Sequence, residues 1–182
     1  MDNEFKIIKD FFLQLADNRN SMKLTNDAAV LNFRDSFLTV STDMMIEGTH
    51  FEGSENPKTI ARKLLRINLS DLAAMGAIPY GYLLNLSIPK KNAFIWIKEF
   101  VKGLKIDQKK FGLKLLGGDL SQSKKIFISA TIFGKAKKKV HLNNTAKEGS
   151  NIYVSGTLGD AAIAFNFLKK KIYLEKKSRN YF

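Results

Sequence analysis

Four short motifs, each built around one aspartate, constrain this chain more than any other feature of its sequence. They are Thr25-Asn26-Asp27, Ser41-Thr42-Asp43, the run from Asn68 to Gly76 around Asp71, and Gly117-Gly118-Asp119. Each lies where an apolar strand or helix pattern ends, so we expect the four carboxylates to converge at one edge of one sheet. Mg²⁺ at nucleotide sites takes a few carboxylates and keeps waters and phosphates as its other ligands. For any single aspartate, the alternative is a helix cap or a turn.

Length and composition favour a soluble globular chain. With 182 residues, 45% of them hydrophobic, the chain is long enough for one well-packed domain and the start of another. No stretch approaches the roughly 18 consecutive apolar residues that a membrane helix needs, so we expect no membrane partner. The first residues are polar and acidic, and the chain has no cysteine. A cytoplasmic location is therefore expected.

The net charge of +13 suggests a nucleic-acid partner, because clustered lysines and arginines bind phosphate backbones. The densest basic runs are residues 135–139 and 169–179. Neither run carries the interleaved aromatics or the glycine pattern of an RNA-binding module. We therefore interpret both as solvated faces and do not expect a nucleic-acid partner.

Hydrophobic periodicity predicts helices and strands in mixed order. Amphipathic helices are predicted over residues 5–15, 57–75 and 94–111, and a final helix over 161–168. Strands are predicted over 28–33 and 36–42 as a hairpin, and over 80–88, 114–116, 126–134 and 151–156. Residues 44–51 continue as a strand or an ordered loop, and a glycine turn at 117–118 presents Asp119. The expected fold is an α/β domain whose mixed or antiparallel sheet is covered by helices on one face, followed by the start of a second α/β domain.

Several strings resemble the thiamine-monophosphate kinases, a family in the superfamily that includes aminoimidazole ribonucleotide synthetase and selenophosphate synthetase. The most specific are Ser-Thr-Asp at 41–43, running on to Gly-Thr-His-Phe at 48–51, and Asn-Leu-Ser-Asp-Leu-Ala-Ala-Met-Gly at 68–76. Gly-Gly-Asp at 117–119 and Tyr-Val-Ser-Gly-Thr-Leu-Gly-Asp at 153–160 follow in order. The resemblance covers essentially the whole chain.

The resemblance implies transfer of the γ-phosphoryl group of ATP to the phosphate of thiamine monophosphate, giving thiamine diphosphate without a covalent enzyme intermediate. Such a transfer needs in-line positioning and charge neutralisation, which Mg²⁺ held by carboxylates supplies. No Walker loop occurs in the sequence. By position, the implied metal ligands are Asp27, Ser41, Thr42, Asp43, Asp71 and Asp119.

Substrate and nucleotide contacts are also implied by the resemblance. His50 matches the residue that contacts the thiamine phosphate. Gly118 and Asp119 match the turn that meets ATP, and Phe111 matches an aromatic position that stacks on adenine, although core packing is an equal alternative for this side chain. Lys139 occupies a position where the family commonly has an arginine on the nucleotide phosphates. Lysine keeps the charge but loses the bidentate fork.

Two departures from the family pattern bear on these expectations. The usual Gly-Asp-Asp of the first motif reads Thr25-Asn26-Asp27 here, with one glycine and one carboxylate fewer. The Ile-Ser-Asp-Gly and Gly-Gly-Glu-Asp strings of the family's second domain do not occur. We therefore expect an N-terminal domain that binds ATP and Mg²⁺ over residues 1–148 and a truncated second domain over 149–182. The catalytic aspartate is expected in the missing part, so none is assigned and the chain alone is expected to be inactive.

The resemblance further implies a homodimer in which strands of two N-terminal domains form a shared barrel, with ATP near the seam. Two alternatives remain open. One is another ATP-dependent enzyme of the same superfamily, against which the string around His50 argues. The other is a non-catalytic basic module that binds nucleic acid, which the net charge motivates.

Overall fold

A computed structural model describes residues 8–16, 19–33, 36–137, 139–169 and 171–179 of the chain. The chain divides into two compact units, Met1–Thr145 and Ala146–Phe182. The domain boundary expected after residue 148 stays a prediction. Among the helices that the described residues form, none combines the length and the apolar character that crossing a membrane requires.

The first unit is built on one mixed sheet of five strands. These are β1 (Ala29–Phe33), β2 (Ser36–Ile46), β3 (Ile78–Ile88), β4 (Lys114–Gln122) and β5 (Phe127–Ala136), and they lie in the order β1-β2-β5-β3-β4. Strands β3 and β4 pair in parallel, whereas the other neighbours are antiparallel. The predicted mixed α/β fold is confirmed. The hairpin connection predicted between β1 and β2 falls at residues 34–35, outside the described residues.

Two long helices follow the sequence signals closely. Helix α1 (Pro57–Ala74) begins after Asn56, whose side-chain oxygen accepts the N–H of Lys58 at 2.9 Å, and proline occupies its first turn. It ends before Gly76, where φ is +66°. Helix α2 (Ala93–Phe111) contacts α1 along its length and ends at Gly112, where φ is +68°. Together these helices explain why the 57–75 and 94–111 patterns carry an apolar stripe.

The two faces of the sheet differ because strand side chains alternate between them. On the covered face, Ile128, Ala130 and Ile132 of β5 are fully buried in one core with Leu64 and Leu65 of α1. On the open face, large apolar side chains remain exposed, among them Met44, Leu83 and Phe127. The names covered face and open face are kept below, since the predicted site residues divide between them.

The second unit holds α3 (Asp160–Leu168) and the short helix α4 (Lys176–Arg179). None of the residues of α3 is buried. The strand predicted over residues 151–156 is wrong, because this stretch forms no regular structure and Ile152 and Tyr153 are about nine-tenths exposed. A single strand has no stability without a neighbour to pair with, and the described residues of this unit contain no strand.

The N-terminal helix predicted over residues 5–15 is also not formed as expected. Residues 5–7 lie outside the described residues, and the rest forms a π-type turn, Ile8–Phe12, followed by a 3₁₀ turn, Leu13–Ala16. Leu15 is 78% exposed and Phe12 is 51% exposed, so these two apolar side chains of the predicted stripe are not buried. A short amphipathic segment without a surface to pack on does not hold a regular helix.

Candidate functional site

Three of the four motif aspartates come together beside the covered face. Asp43 lies on β2, two residues after Ser41 and on the same face, and Asp71 lies in the last turn of α1. The Ser41 hydroxyl donates a hydrogen bond of 2.5 Å to the Asp71 carboxylate, which joins strand and helix directly. Asp27 precedes β1, the antiparallel neighbour of β2. We call Asp27, Asp43 and Asp71 the acidic cluster.

Burial and neighbouring negative charge both disfavour the ionised carboxylates of the acidic cluster. Burial raises the pKa of Asp43, while a positive charge on His50 lowers it. Burial also raises the pKa of Asp71, and the charges of Asp43 and Asp27 raise it further, whereas the hydrogen bond from Ser41 lowers it. The three carboxylates are thus close enough to repel one another. A cation would relieve this repulsion.

The acidic cluster fits a hard divalent cation in ligand type and in charge. Its side-chain donors are carboxylate and hydroxyl oxygens, which Mg²⁺ prefers over nitrogen or sulfur. In the described part of the chain, however, no three acidic, histidine or cysteine side chains lie close enough to enclose a metal by themselves. Waters and substrate phosphates would therefore complete the coordination.

Thr42, which belongs to the predicted metal set, is held on the open face. Its hydroxyl lies 3.2 Å from the carbonyl oxygen of Ala130 and 3.1 Å from the hydroxyl of Thr131. The side chains of Ser41 and Asp43 point to the other side of β2, because neighbours along a strand alternate. The Thr42 hydroxyl could therefore bind only a metal ion that lies on the open face of the sheet.

The expected glycine turn before Asp119 is wrong, because Gly117 and Gly118 lie inside β4. Gly118 pairs with Leu84 of β3, and a Cβ on this residue would lie 1.8 Å from the Leu84 carbonyl oxygen. Close approach of the two backbones, rather than a turn, explains this glycine.

Asp119 lies on the open face, so it does not join the acidic cluster within one chain. It forms a row across the sheet with Asn85, Ser129 and Met44, and the four side chains line one open-face cavity of about 230 Å³. Three strand spacings of about 4.8 Å separate β4 from β2, or about 14 Å. The order of the motifs along the sequence identifies Asp119 as a candidate but does not show which face of the sheet it occupies.

His50 lies in a tight turn that follows β2. Its ring Nδ1 accepts the backbone N–H of Ile46 at 3.0 Å, which leaves the proton of the neutral ring on Nε2. The carbonyl oxygen of His50 accepts a hydrogen bond of 2.5 Å from Nζ of Lys63 on α1. Phe51 anchors the turn because it is 3% exposed. The sequence contains no indication of this contact, because nothing distinguishes Lys63 from other lysines on the helix.

The remaining nucleotide candidates lie apart from the acidic cluster in sequence and environment. Phe111 is the last residue of α2 and packs, partly buried, against the main core. This contact favours core packing without testing a role in adenine binding. Lys139 is exposed after the end of β5. The roles assigned to both residues stay predictions.

A buried ion-pair group also escaped the sequence interpretation. Asp107 of α2 is fully buried and accepts two hydrogen bonds from Arg66 of α1, at 2.8 and 3.1 Å. Arg62, one turn earlier, lies 3.6 Å from the same carboxylate. The hydrogen bonds to Asp107 raise the pKa of Arg66. This group joins the two helices and has no role in the acidic cluster.

Comparisons with a family model and with curated proteins agree on one family. Residues 25–136 match the family described as AIR synthase related protein, N-terminal domain. A thiamine-monophosphate kinase of Buchnera aphidicola subsp. Schizaphis graminum is 38% identical over 177 residues, which is 95% of this chain and 54% of that protein. The same enzyme from Caulobacter vibrioides is 42% identical over 143 residues, 77% of this chain and 41% of that protein. The chain spans about half the length of the curated relatives it matches.

Solved structures give the same picture of the fold. A structure described as "AaThiL complexed with AMPPCP and TMP" superposes with a TM-score of 0.85 at 27% identity, covering 95% of this chain and 54% of that one. Thiamine monophosphate kinase from Aquifex aeolicus gives a TM-score of 0.82 at 26% identity, covering 96% and 56% respectively. The fold of the described chain is therefore shared with these two proteins.

Proposed function

Because the chain belongs to the family of AIR synthase related proteins, matched over residues 25–136, we propose that it carries the metal- and nucleotide-binding half of a thiamine-monophosphate kinase. The reaction proposed is transfer of the γ-phosphoryl group of ATP to thiamine monophosphate, in the cytoplasm. The observation that carries this proposal is the acidic cluster, in which the Ser41 hydroxyl of β2 binds the Asp71 carboxylate of α1, with Asp43 and Asp27 near enough to act on its pKa. Relatives named as this enzyme support the choice of substrate.

Mg²⁺ bound at the acidic cluster would neutralise phosphate charge during the transfer. Asp43 and Asp71 would hold it from β2 and α1, and Asp27 would complete the charge from the loop before β1. The Ser41 hydroxyl orients the Asp71 carboxylate through their hydrogen bond, which fixes one oxygen and leaves the other available. A site held by strand and helix together changes little on binding, which favours in-line positioning of the phosphates.

His50 and Lys63 would receive the acceptor phosphate. With Nδ1 engaged by the backbone of Ile46, the neutral ring of His50 presents its Nε2–H as a donor. Lys63 steadies the same turn through the His50 carbonyl oxygen and adds a positive charge beside it. The charge effect of His50 on Asp43 indicates that the turn lies near the acidic cluster. A phosphate bound there would therefore lie beside the metal.

A homodimer through the open face is part of the proposal. That face exposes Met44, Leu83 and Phe127 around the row that contains Asp119. A second copy of the same face is the occupant that its apolar surface and the exposed edge strand β4 favour. Asp119 belongs to this face and would lie within the interface, on the side of the sheet opposite to the acidic cluster.

The test of this proposal is binding of the ATP analogue AMP-PCP by calorimetry, with and without Mg²⁺. We expect binding that requires Mg²⁺ and is lost in Asp71→Asn, because the cluster then loses a charged ligand. Glu148→Gln removes an exposed carboxylate from the second unit and serves as the control, with unchanged binding. Absence of Mg²⁺-dependent binding at millimolar analogue would contradict the proposal.

The acceptor is tested separately by mixing the chain with ATP, Mg²⁺ and candidate acceptors. Formation of thiamine diphosphate, or binding of thiamine monophosphate that His50→Ala abolishes, supports the proposed substrate. Phosphorylation of an amide acceptor in place of thiamine monophosphate would favour another enzyme of the superfamily. The two results are distinguished by the product, whatever the nucleotide affinity.

A further inference from the structure

Two hydrogen bonds join the loop that carries Asp27 to the segment after β5. The backbone N–H of Asn143 donates to the side-chain oxygen of Asn26 at 3.2 Å. The side-chain amide of Asn143 donates to the carbonyl oxygen of Thr25 at 2.5 Å. Both acceptors belong to the two residues directly before Asp27, so one residue, Asn143, fixes the backbone from which the Asp27 carboxylate extends.

An apolar contact supports the same connection from beneath. Ala28 and Val30 are buried together with Met75 in a small core of their own, and Val140 and Leu142 pack against it. Alternate residues of the 139–143 segment therefore face inward, while His141 and Asn143 are exposed. The segment thus attaches to the start of β1 by packing and by polar contacts at once.

The end of α1 is the third part of this junction. The backbone N–H of His141 donates to the carbonyl oxygen of Met75 at 3.0 Å. Gly76 faces the ring of the same histidine, where an added Cβ would lie 2.6 Å from its Cδ2 atom. Met75 and Gly76 directly follow the helical turn that carries Asp71. The segment therefore touches the supports of both Asp27 and Asp71.

We propose that the segment 139–143 is a clamp that holds Asp27 against the end of α1, and that Asn143 is its positioning residue. Asp27 itself lies in an exposed loop, which without the clamp would be free to swing away from Asp71. The clamp lets the acidic cluster keep a third carboxylate near the other two before any cation binds. This inference rests on the proposed function, since it assigns a purpose to the metal site.

The clamp also gives Asn26 a role. Its side-chain oxygen accepts the Asn143 N–H, and its amide contributes no charge. An aspartate would keep the acceptor and add a fourth negative charge near the cluster. Asn26→Asp therefore keeps the clamp, whereas Asn26→Ala removes the acceptor.

The test combines amide hydrogen exchange of residues 25–28 with Mg²⁺ binding by calorimetry. We expect Asn143→Ala and Asn26→Ala to speed exchange at these amides and to weaken Mg²⁺ binding roughly three- to tenfold, as the loss of one or two hydrogen bonds predicts. Asn26→Asp should retain slow exchange and bind Mg²⁺ at least as tightly as the natural chain. Asn144→Ala, at the exposed neighbouring position, is the matched control and should change neither reading.

The outcomes separate the clamp from the metal site that it supports. Faster exchange together with weaker Mg²⁺ binding in Asn143→Ala supports the clamp. Unchanged Mg²⁺ affinity in Asn143→Ala overturns the clamp while leaving the metal site intact. If the natural chain binds no Mg²⁺ at millimolar concentration, the proposed function fails and the purpose of the clamp fails with it. Exchange that is equally fast in the natural chain and in Asn143→Ala overturns the clamp irrespective of the metal.

Discussion

The two faces of the sheet have the same alternating strands but opposite chemistry. On the covered face, Ile128 and Ile132 of β5 are completely buried, and β2, which bears Ser41 and Asp43, is joined to α1 by the hydrogen bond from Ser41 to Asp71. On the open face, Phe127 of the same strand is 38% exposed, and Asp119 lies in a shallow cavity among polar and apolar neighbours. The covered face is packed within a single chain, whereas the open face leaves apolar side chains available for contact with another surface.

This difference shows how one strand can serve two purposes. Burial of the covered face stabilises the fold and sets the positions of Asp43 and Asp71. The open face contributes little to the stability of one chain, so its residues are available for association or for ligand contacts. Substitutions on the two faces should therefore separate stability from association.

The largest expected effect is the loss of stability on the covered face. Ile132→Ala removes a fully buried side chain and leaves a cavity, which should lower the free energy of unfolding by about 3 kcal/mol. Phe127→Ala on the open face of the same strand should cost less than about 1 kcal/mol at low protein concentration. Urea unfolding of both variants measures the contrast. Equal losses would contradict the division of the sheet into a core face and a free face.

The buried ion pair between the helices should follow. Arg66→Ala leaves the buried Asp107 carboxylate with Arg62 alone, and we expect a loss of about 2 kcal/mol. The value lies below that of a fully buried pair because Arg66 is itself 42% exposed. Lys105→Ala, an exposed lysine on the same helix as Asp107, should change stability by less than about 0.5 kcal/mol. A stability loss that is no larger in Arg66→Ala than in this control would show that the pair does not hold the helices together.

Association through the open face should be the next largest effect. Leu83→Lys places a charge within the exposed apolar surface and should weaken self-association at least tenfold, about 1.4 kcal/mol. Thermal stability of the dilute chain should fall much less than in Ile132→Ala, since Leu83 is 36% exposed whereas Ile132 is fully buried. Sedimentation across a concentration series measures the association. Ile95→Lys, at an exposed apolar position of α2, is the control, and an equal loss there would argue against an interface at the open face.

The smallest effect on stability is expected at the acidic cluster. Because burial raises the pKa of Asp43 in the folded state, its charge opposes folding at neutral pH. Asp43→Asn should therefore raise the melting temperature slightly in the absence of metal. The gain should shrink as the pH falls through the raised pKa towards the ordinary value near 3.8, where the natural carboxyl is neutral too. A gain that is constant across this range would contradict the assignment to charge.

The sequence predicted the regular elements well where a full apolar stripe had a surface to pack on. The predicted helix over 94–111 became Ala93–Phe111, and the strand over 80–88 became Ile78–Ile88. The same periodicity misled over residues 8–15, because it reports apolar spacing and not whether those side chains find a neighbouring surface. The strand predicted over 151–156 failed for a related reason, since the described residues of its unit contain no strand to pair with it.

The candidate site could be predicted only in part. Motif order indicated Asp43 and Asp71 because both lie at the ends of long, strongly patterned elements. The face of Asp119 could not be read, because it depends on the pairing of β4 with β3 and on a register shift at Tyr82–Leu83. The contact of Asn143 with Asn26 joins residues far apart in sequence, through short polar side chains that also suit any loop.

The central claim is that Asp27, Asp43 and Asp71 form a divalent-cation site. Its most direct test is titration of the ¹⁵N-labelled chain with Mn²⁺, which carboxylate sites accept in place of Mg²⁺ and which broadens nearby NMR signals. The account predicts that substoichiometric Mn²⁺ broadens the amides around these three residues first and leaves those around Glu99 and Asp107 sharp. Broadening elsewhere on the chain, with the three aspartates unaffected, would contradict it.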